Sequence, residues 1–298
     1  MKKAIIFGAN GYLGRHIVQT LNNINIETLS IGNSSKSIDN HNNYSQIDIS
    51  NEKEIATIDF NVDYIFVFAG LTGTNVGFDK YERFIQVNEN GLLNVLNHHK
   101  SSKSKARIIF PSTRLVYKGI KNTPLKENSE KEAKTIYAQN KLSCEAFLKM
   151  YQNNFNIDYT IFRICVPYGN VIDNNYSYGT IGMFLNKAAK NENITLYGDG
   201  DIKRTFTHVS DISQLIIKSL DKEISKNKIY NIGSNDNMSL LEVANLVASK
   251  NDIQVNFMEW PEAALKIESG DTIFDDTRVQ EEINYDYKYS VADWINNI

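Results

Sequence analysis

An apolar run, Ala4-Ile5-Ile6-Phe7, leads into the turn Gly8-Ala9-Asn10-Gly11-Tyr12-Leu13-Gly14, which opens an amphipathic stretch carrying Leu13, Ile17, Val18 and Leu21. No other order of residues in this chain restricts its fold as much. A strand that ends in G-x-x-G-x-x-G and passes at once into a helix offers free backbone N–H groups and the positive end of a helix dipole at one point. The glycines let a pyrophosphate approach the main chain, so the unit is a candidate dinucleotide cradle. The same glycines elsewhere would read as ordinary turns; their place between strand and helix gives them meaning.

The alternation continues beyond the turn. Strands are expected at 3–7, 26–31, 45–47, 64–69, 107–111 and 159–163, with helical stretches at 12–22, 52–58, 78–100 and 136–153. Repeated βαβ order predicts a doubly wound parallel sheet covered on both faces. Past Arg163 the composition shifts toward Gly, Asn and Tyr, with a helix at 180–190 and a strand at 194–197. A helix at 210–220 and a strand at 229–232 return to the sheet, and Ser239-x-x-Glu242 reads as a capping box. The expected division is a dinucleotide-binding domain at 1–165, rejoined by 205–235, and a smaller lobe built from 166–204 and 236–298. A chain of 298 residues accommodates one large domain with an appended lobe.

Within the first half, Tyr137 and Lys141 lie one helical turn apart and share a face. A lysine beside a phenol favours the phenolate and lowers its pKa, which suits the phenol to proton transfer near neutrality. By itself Y-x-x-x-K is a solvated helix face; with the glycine turn before it and Ser112-Thr113 between them, a redox site becomes the better reading.

Net charge of −3 gives no electrostatic case for nucleic acid or an anionic membrane. No run approaches the length of a membrane span, and Gly8 breaks the apolar start too early for a signal peptide, so a cytoplasmic location is expected. Cys144 and Cys165 form no C-x-x-C, and the five histidines lack ligand spacing, so no metal is expected. His98-His99 are expected to cap a helix C-terminus with positive charge.

The ordered set Gly8–Gly14, Asp48-Ile49, Asn88, Ser112-Thr113, Tyr137-x-x-x-Lys141, Arg163 to Gly169, Tyr197-Gly198-Asp199-Gly200 with Arg204-Thr205-Phe206, and Asp276-Thr277-Arg278 resembles the extended short-chain dehydrogenase/reductases of the nucleotide-sugar epimerase/dehydratase group. The resemblance spans essentially the whole chain and implies a Rossmann-type sheet with a C-terminal substrate lobe. It makes Tyr137 the general acid/base, Lys141 the holder of the nicotinamide ribose, Thr113 the partner of the reacting sugar oxygen and Ser112 a wall of the nicotinamide pocket. It implies cofactor contacts from Gly8, Asn10, Gly11, Tyr12, Leu13, Gly14, Arg15, Asn33, Ser34, Lys36, Asp48, Ile49, Ala69 and Gly70, with Asn88 supporting the strand that carries Ser112. Substrate contacts are implied for Thr72, Thr113 and Cys165, with Tyr197 stacking on the base and Arg204 facing the diphosphate.

Three departures refine the expectation. Cys165 stands where the family usually has Asn, and Glu268 precedes Ser269-Gly270-Asp271 where a diphosphate-binding Arg is common. Arg114-Leu115 follows Thr113, where the 4,6-dehydratases have Asp-Glu, which argues against a dehydratase. The second strand ends in Ser30-Ile31-Gly32-Asn33-Ser34-Ser35-Lys36, without the acid that grips a ribose 2′-OH, and Arg15 is close in sequence to the cradle. NADP(H) is therefore favoured over NAD(H), and the leading expectation is a 4-keto-sugar reductase. A C4 epimerase or C4 dehydrogenase is the alternative, and a non-catalytic Rossmann-type sensor is the rival from another class. A homodimer is expected through 78–100 and 136–153, with Phe84, Leu92, Leu93, Leu96, Leu142, Phe147, Leu148 and Met150 as its apolar positions.

Overall fold

The computed structural model describes residues 1–173, 175 and 178–298. Seven strands make the main sheet: β1 (Lys3–Phe7), β2 (Glu27–Gly32), β3 (Tyr44–Gln46), β4 (Tyr64–Val67), β5 (Arg107–Thr113), β6 (Tyr159–Ile164) and β7 (Lys228–Ile232). Their order is β7-β6-β5-β4-β1-β2-β3 and every neighbouring pair is parallel. The chain starts mid-sheet, winds out to β3, then crosses to the other side of β1. The winding reverses between β1 and β4, where the loops leaving the two strands diverge and open a crevice.

Both faces of this sheet are covered, so its strands read as unbroken apolar runs. Along β1, Ala4 and Ile6 face the layer formed by helices Tyr12–Asn23 and Val209–Ser219, through Ile17, Val18, Leu21, Ile212, Leu215 and Ile216. Ile5 and Phe7 face the opposite layer, where Val95, Leu96, Cys144 and Leu148 pack. A third core fills the lobe, around Phe184, Leu196, Phe206, Val243 and Val247.

The expected elements are present with shifted ends, and two shifts matter. β5 runs two residues further than expected, so Ser112 and Thr113 are sheet residues whose positions the strand fixes. The stretch expected as one helix at 78–100 is divided into Val76–Asp79, Tyr81–Phe84, a π-helical turn at Ile85–Asn90 and Gly91–Ser101. A π turn inserts one residue and rotates the side chains that follow it, which is why such turns accompany sites. At the end of that segment the histidine rings bond carbonyls outside the helix rather than the helix's own last carbonyls. His98 Nε2 meets the Ile58 carbonyl and His99 Nε2 the Ala106 carbonyl, each at 2.8 Å, and burial lowers the His99 pKa. Both rings stitch the helix end to neighbouring loops, and His99 does so with its charged form disfavoured.

The lobe consists of small sheets. Val166–Tyr168 pairs parallel with Lys203–His208, which pairs antiparallel with Asp236–Ser239. Ile194–Tyr197 pairs with Val255–Met258. Of the segment expected to return at 205–235, helix Val209–Ser219 and β7 join the large core, while Lys203–His208 stays in the small sheet. The capping box is formed: Glu242 N donates to Ser239 Oγ (3.1 Å) and Ser239 N to Glu242 Oε2 (2.6 Å). Among the described residues no helix is long and apolar enough to cross a membrane.

Candidate active site

The glycine turn is built as a close backbone approach. Gly8 has φ +85°, and a Cβ there would stand 2.5 Å from Ala69 N; a Cβ on Gly14 would stand 2.1 Å from the Gly8 carbonyl oxygen. Any side chain would push apart β1, the loop after β4 and the start of the helix. That helix has Gly11 as its N-cap with no side-chain cap and no acid in its first turn. Its first N–H groups therefore remain available to an anion.

Two cavities meet over this turn, sharing Gly11, Phe68 and Gly70 in their walls. The first, of about 320 Å³, is lined by Gly8, Asn10, Asn33, Ser34, Asp48, Ile49 and Ala69. The second, of about 580 Å³, is lined by Tyr12, Leu13, Gly14, Thr72, Ser112, Thr113, Tyr137, Lys141 and Cys165. One trough thus runs from the ends of β2 and β3 across the glycine turn to the end of β5. Its Cβ-free cradle and uncapped helix start fit a dinucleotide lying across it.

Three residues expected to contact cofactor stand outside the trough lining. Arg15 is held by carboxylates: Nε and Nη2 donate to the two oxygens of Asp39 (2.8 and 2.6 Å), and Nη2 also to Asp173 Oδ2 (2.7 Å). Asp39 foremost, opposed by burial and helped by Asp173, raises its pKa further. Lys36 contributes its carbonyl to Asn10 Nδ2 (2.9 Å), while Ile38 N donates to Asn10 Oδ1 (3.0 Å), so Asn10 shapes the loop after β2. Asn88, inside the π turn, does not support β5. It grips Leu71 instead, accepting from its N–H (2.7 Å) and donating to its carbonyl (3.0 Å), and reaches Asn140 at 3.3 Å. The π turn aims this amide at the loop after β4, which forms one wall of the trough. Asp48 lines the trough, and its Oδ1 also caps the next turn by accepting from Ser50 N (2.9 Å) and Ser50 Oγ (2.7 Å).

At the other end, helix Ile136–Phe155 starts at Thr135, whose hydroxyl accepts from Ala138 N (3.1 Å). This places Tyr137 and Lys141 against the end of β5. Lys141 is 7% exposed, donates to the Pro111 carbonyl (2.7 Å), and stands 5.9 Å from the Tyr137 ring centre. Burial brings its pKa down to about 8. The phenol differs from the sequence expectation. Burial raises the Tyr137 pKa, helped by the nearby Tyr178 and opposed by the Thr113 hydroxyl, and Lys141 does not offset it. The ammonium is directed at a carbonyl rather than at the phenol oxygen, so Tyr137 is a proton-bearing acid at neutral pH.

The sequence reading missed Glu145, one further turn along the same face. Its carboxylate accepts from Ser112 Oγ (2.5 Å) and from Arg163 Nε and Nη2 (3.0 and 2.5 Å). Arg163 also donates to Tyr117 Oη (2.7 Å) and the Glu127 carbonyl (2.8 Å). Burial opposes the Arg163 charge, but Glu145 outweighs it and holds the pKa above the ordinary arginine range. Buried and fully bonded, the pair locks the helix to β5 and β6 and fixes Ser112. The i, i+4, i+8 spacing of Tyr137, Lys141 and Glu145 was the available signal.

The lobe adds a second cavity of about 580 Å³, lined by Tyr197 and Arg204 together with Arg114, Met258, Trp260 and Glu268. Tyr197 lies 5.1 Å from Trp260 in a tilted pair. Trp260, unremarked in the sequence, doubles the aromatic surface there. Arg204 is 2% exposed and already paired, with Nη2 to Glu268 Oε1 (2.5 Å) and Nη1 to the carbonyls of Gly270 (2.5 Å) and Lys203 (2.9 Å). Cys165 is buried beside the Thr272 carbonyl (3.2 Å), and burial raises its thiol pKa, so no thiolate is prepared.

A doubly wound sheet with an anion cradle at its switch point and a Tyr/Lys helix at the far end defines a dinucleotide-binding protein of oxidoreductase type. The chain belongs to the NAD dependent epimerase/dehydratase family, whose model matches residues 4–233. It is similar to a putative UDP-glucose 4-epimerase of Methanocaldococcus jannaschii, 25% identical over 82% of this chain and 80% of that one. Its fold matches the UDP-glucose 4-epimerase of Thermotoga maritima, solved with UDP-glucose, at TM-score 0.87 and 21% identity over 98% of this chain and 96% of that one. It also matches the UDP-glucuronic acid 4-epimerase of Bacillus cereus, solved with UDP-glucuronic acid and NAD, at TM-score 0.85 and 21% identity over 99% of this chain and 96% of that one.

Proposed function

We propose that this chain oxidises and re-reduces C4 of a nucleoside-diphosphate sugar as a C4 epimerase. The observation that carries the C4 redox reading is the convergence of Thr113, Tyr137 and Lys141 on the cavity that begins at the glycine turn. The nicotinamide dinucleotide, when bound, supplies hydride acceptance and return. Gly8, Gly11, Gly14 and the free helix N-terminus hold its pyrophosphate, and Lys141 its ribose. As phenolate, a form that the positive charge of the oxidised dinucleotide beside Lys141 would favour, Tyr137 takes the proton of the sugar O4–H as hydride leaves C4 and returns it when hydride comes back, while Thr113 orients that oxygen. The sugar enters through the trough and the base lies in the lobe cavity against Tyr197 and Trp260. In this reading residues 1–165 with 205–235 serve the cofactor, and 166–204 with 236–298 serve the nucleotide.

The epimerase subtype is favoured over the reductase by the surroundings of the cradle. Tyr12 stacks on Tyr178 (3.9 Å between ring centres), its hydroxyl donates to the Gly169 carbonyl (2.7 Å), and Arg15 pairs with Asp173. These contacts wall the cradle with lobe residues, which suits a cofactor retained over many cycles. With its fork filled by Asp39, Arg15 is not free for a 2′-phosphate, so NAD(H) is proposed in preference to NADP(H). One observation keeps the 4-keto-sugar reductase as a second reading: Asn33 and Ser34, not a carboxylate, line the cavity at the end of β2. The deciding assay uses a panel of nucleotide hexoses without added cofactor, beside 4-keto sugars with NADPH and NADH. C4 inversion without net cofactor use is expected; stoichiometric NADPH consumption without inversion would give the reductase reading its place.

Assembly is proposed as a homodimer through the helices flanking the π turn and Ile136–Phe155. Among the expected apolar positions, Phe84, Leu92, Leu96 and Leu148 are buried within the subunit, and Met150 is exposed. Phe78, Tyr81, Ile85 and Phe155 are also exposed on these helices and leave apolar surface available there. Sedimentation at micromolar concentration should give twice the chain mass; a monomer would count against this assembly.

A further inference from the structure

We propose that Arg114 is the cation that binds the substrate diphosphate, taking over the task that Arg204 cannot perform while it is paired with Glu268. The proposal rests on the nucleotide-sugar reading above and names a residue for it.

Arg114 opens the 3-10 turn Arg114–Val116, immediately after Thr113. It lines both the cavity that holds Tyr137 and the lobe cavity that holds Tyr197 and Trp260. A nucleotide sugar with its hexose at Tyr137 and its base at Tyr197 must pass its diphosphate through the junction of the two. Arg114 stands at that junction.

The guanidinium there is poorly compensated. Among the described residues its one side-chain hydrogen bond is Nη1 to Ser269 Oγ (3.0 Å), and no carboxylate forms an ion pair with it. Arg163 and Arg204 each have a carboxylate oxygen at 2.5 Å. Arg107 also lacks a carboxylate, but gives its donors to the Ser219 and Leu220 carbonyls and Ser225 Oγ. Glu268, the acid nearest in function, is committed: Oε1 accepts from Arg204 (2.5 Å) and from Gly270 N (3.0 Å). Burial, with Arg204 adding repulsion that Cys165 and Glu268 only partly offset, brings the Arg114 pKa down to about 10. A half-buried cation whose hydrogen-bond partner is a neutral hydroxyl is incompletely compensated in the free protein, and an incoming anion completes it. A guanidinium offers phosphate a planar, bidentate fork. The charges compensate one another: a glutamate replaces the arginine usual before the late Gly-Asp, and an arginine replaces the acid found after Thr113 in dehydratases.

The test is calorimetric titration of NAD-saturated protein with the nucleoside, 5′-monophosphate and 5′-diphosphate of uridine, thymidine, guanosine and cytidine. For the base that wild type selects, Arg114→Gln should weaken the diphosphate by about tenfold to a hundredfold and leave the nucleoside nearly unchanged. Arg114→Lys, which keeps the stem and charge and so guards against a folding defect, should fall between them. Glu268→Gln, by freeing Arg204, should tighten the diphosphate. Equal diphosphate affinity in wild type and Arg114→Gln would overturn the proposal. So would a variant that binds UDP normally but fails only on UDP-glucuronic acid, since the charge would then serve a sugar carboxylate. If no diphosphate bound wild type, the nucleotide-sugar reading itself would fall, a result distinguishable from the first.

Discussion

Tyr137→Phe should bind the dinucleotide as wild type does and turn over on the order of 10²- to 10⁴-fold more slowly. The substitution removes one hydroxyl from the cavity wall and leaves the ring against its neighbours. Lys141 is unaffected, because its hydrogen bond goes to the Pro111 carbonyl. In the proposed C4 reaction, what disappears is the group that takes the O4 proton during oxidation and returns it during reduction. Because the ring still fills its place and only the proton-transferring hydroxyl is gone, the loss acts on the chemical step. Dissociation constants from cofactor titration, beside kcat under saturating substrate, separate the two effects. Turnover within tenfold of wild type would remove Tyr137 from the chemistry.

Lys141→Met carries an effect of similar size and of two kinds. Burial takes the lysine from its ordinary 10.5 to about 8 in the native protein. The unfolded chain therefore binds the proton more tightly than the native one does. Below pH 8 both states hold it, and keeping the charge buried costs the native state on the order of 3 kcal/mol. Between pH 8 and 10.5 the native lysine has lost its proton while the unfolded one retains it, so native stability rises with pH across that window. Methionine has no such dependence. The stability difference should therefore move in favour of wild type by on the order of 3 kcal/mol from about pH 7 to about pH 10.5. At neutral pH methionine's advantage is reduced because the Pro111 carbonyl loses its donor. Cofactor affinity and turnover should both fall. Denaturant melts of cofactor-free protein at several pH values provide the check; a flat difference would mean that Lys141 titrates as an ordinary lysine.

The sheet was readable because buried parallel strands are short apolar runs, and β1 was placed to the residue. The glycine turn was readable because its geometry admits no other residue at Gly8 or Gly14. The π turn was not, since one inserted residue barely alters an apolar periodicity while it redirects Asn88. The pairing of Arg15 was not legible for a different reason: its acid, Asp39, sits past the point where the strand-end signal is sought, and a loop's return is a tertiary fact. Glu145 was legible from spacing alone. Arg114 was read only as a missing acid, because its isolation among the nearby charges emerges once Glu268 is seen to face Arg204.

The seventh strand ties the order of synthesis to the order of assembly. β6 is buried along its whole length, yet its outer neighbour β7 follows only after Val166–Tyr168, Ile194–Tyr197 and Lys203–His208 have been laid into the lobe. A chain emerging from the ribosome must therefore carry β6 as a raw, apolar edge until much of the lobe exists, the kind of edge that invites pairing with a stranger. No single cut separates the two halves without leaving that edge bare. The polypeptide thus makes its large sheet and its lobe as one object, to be inherited or lost together.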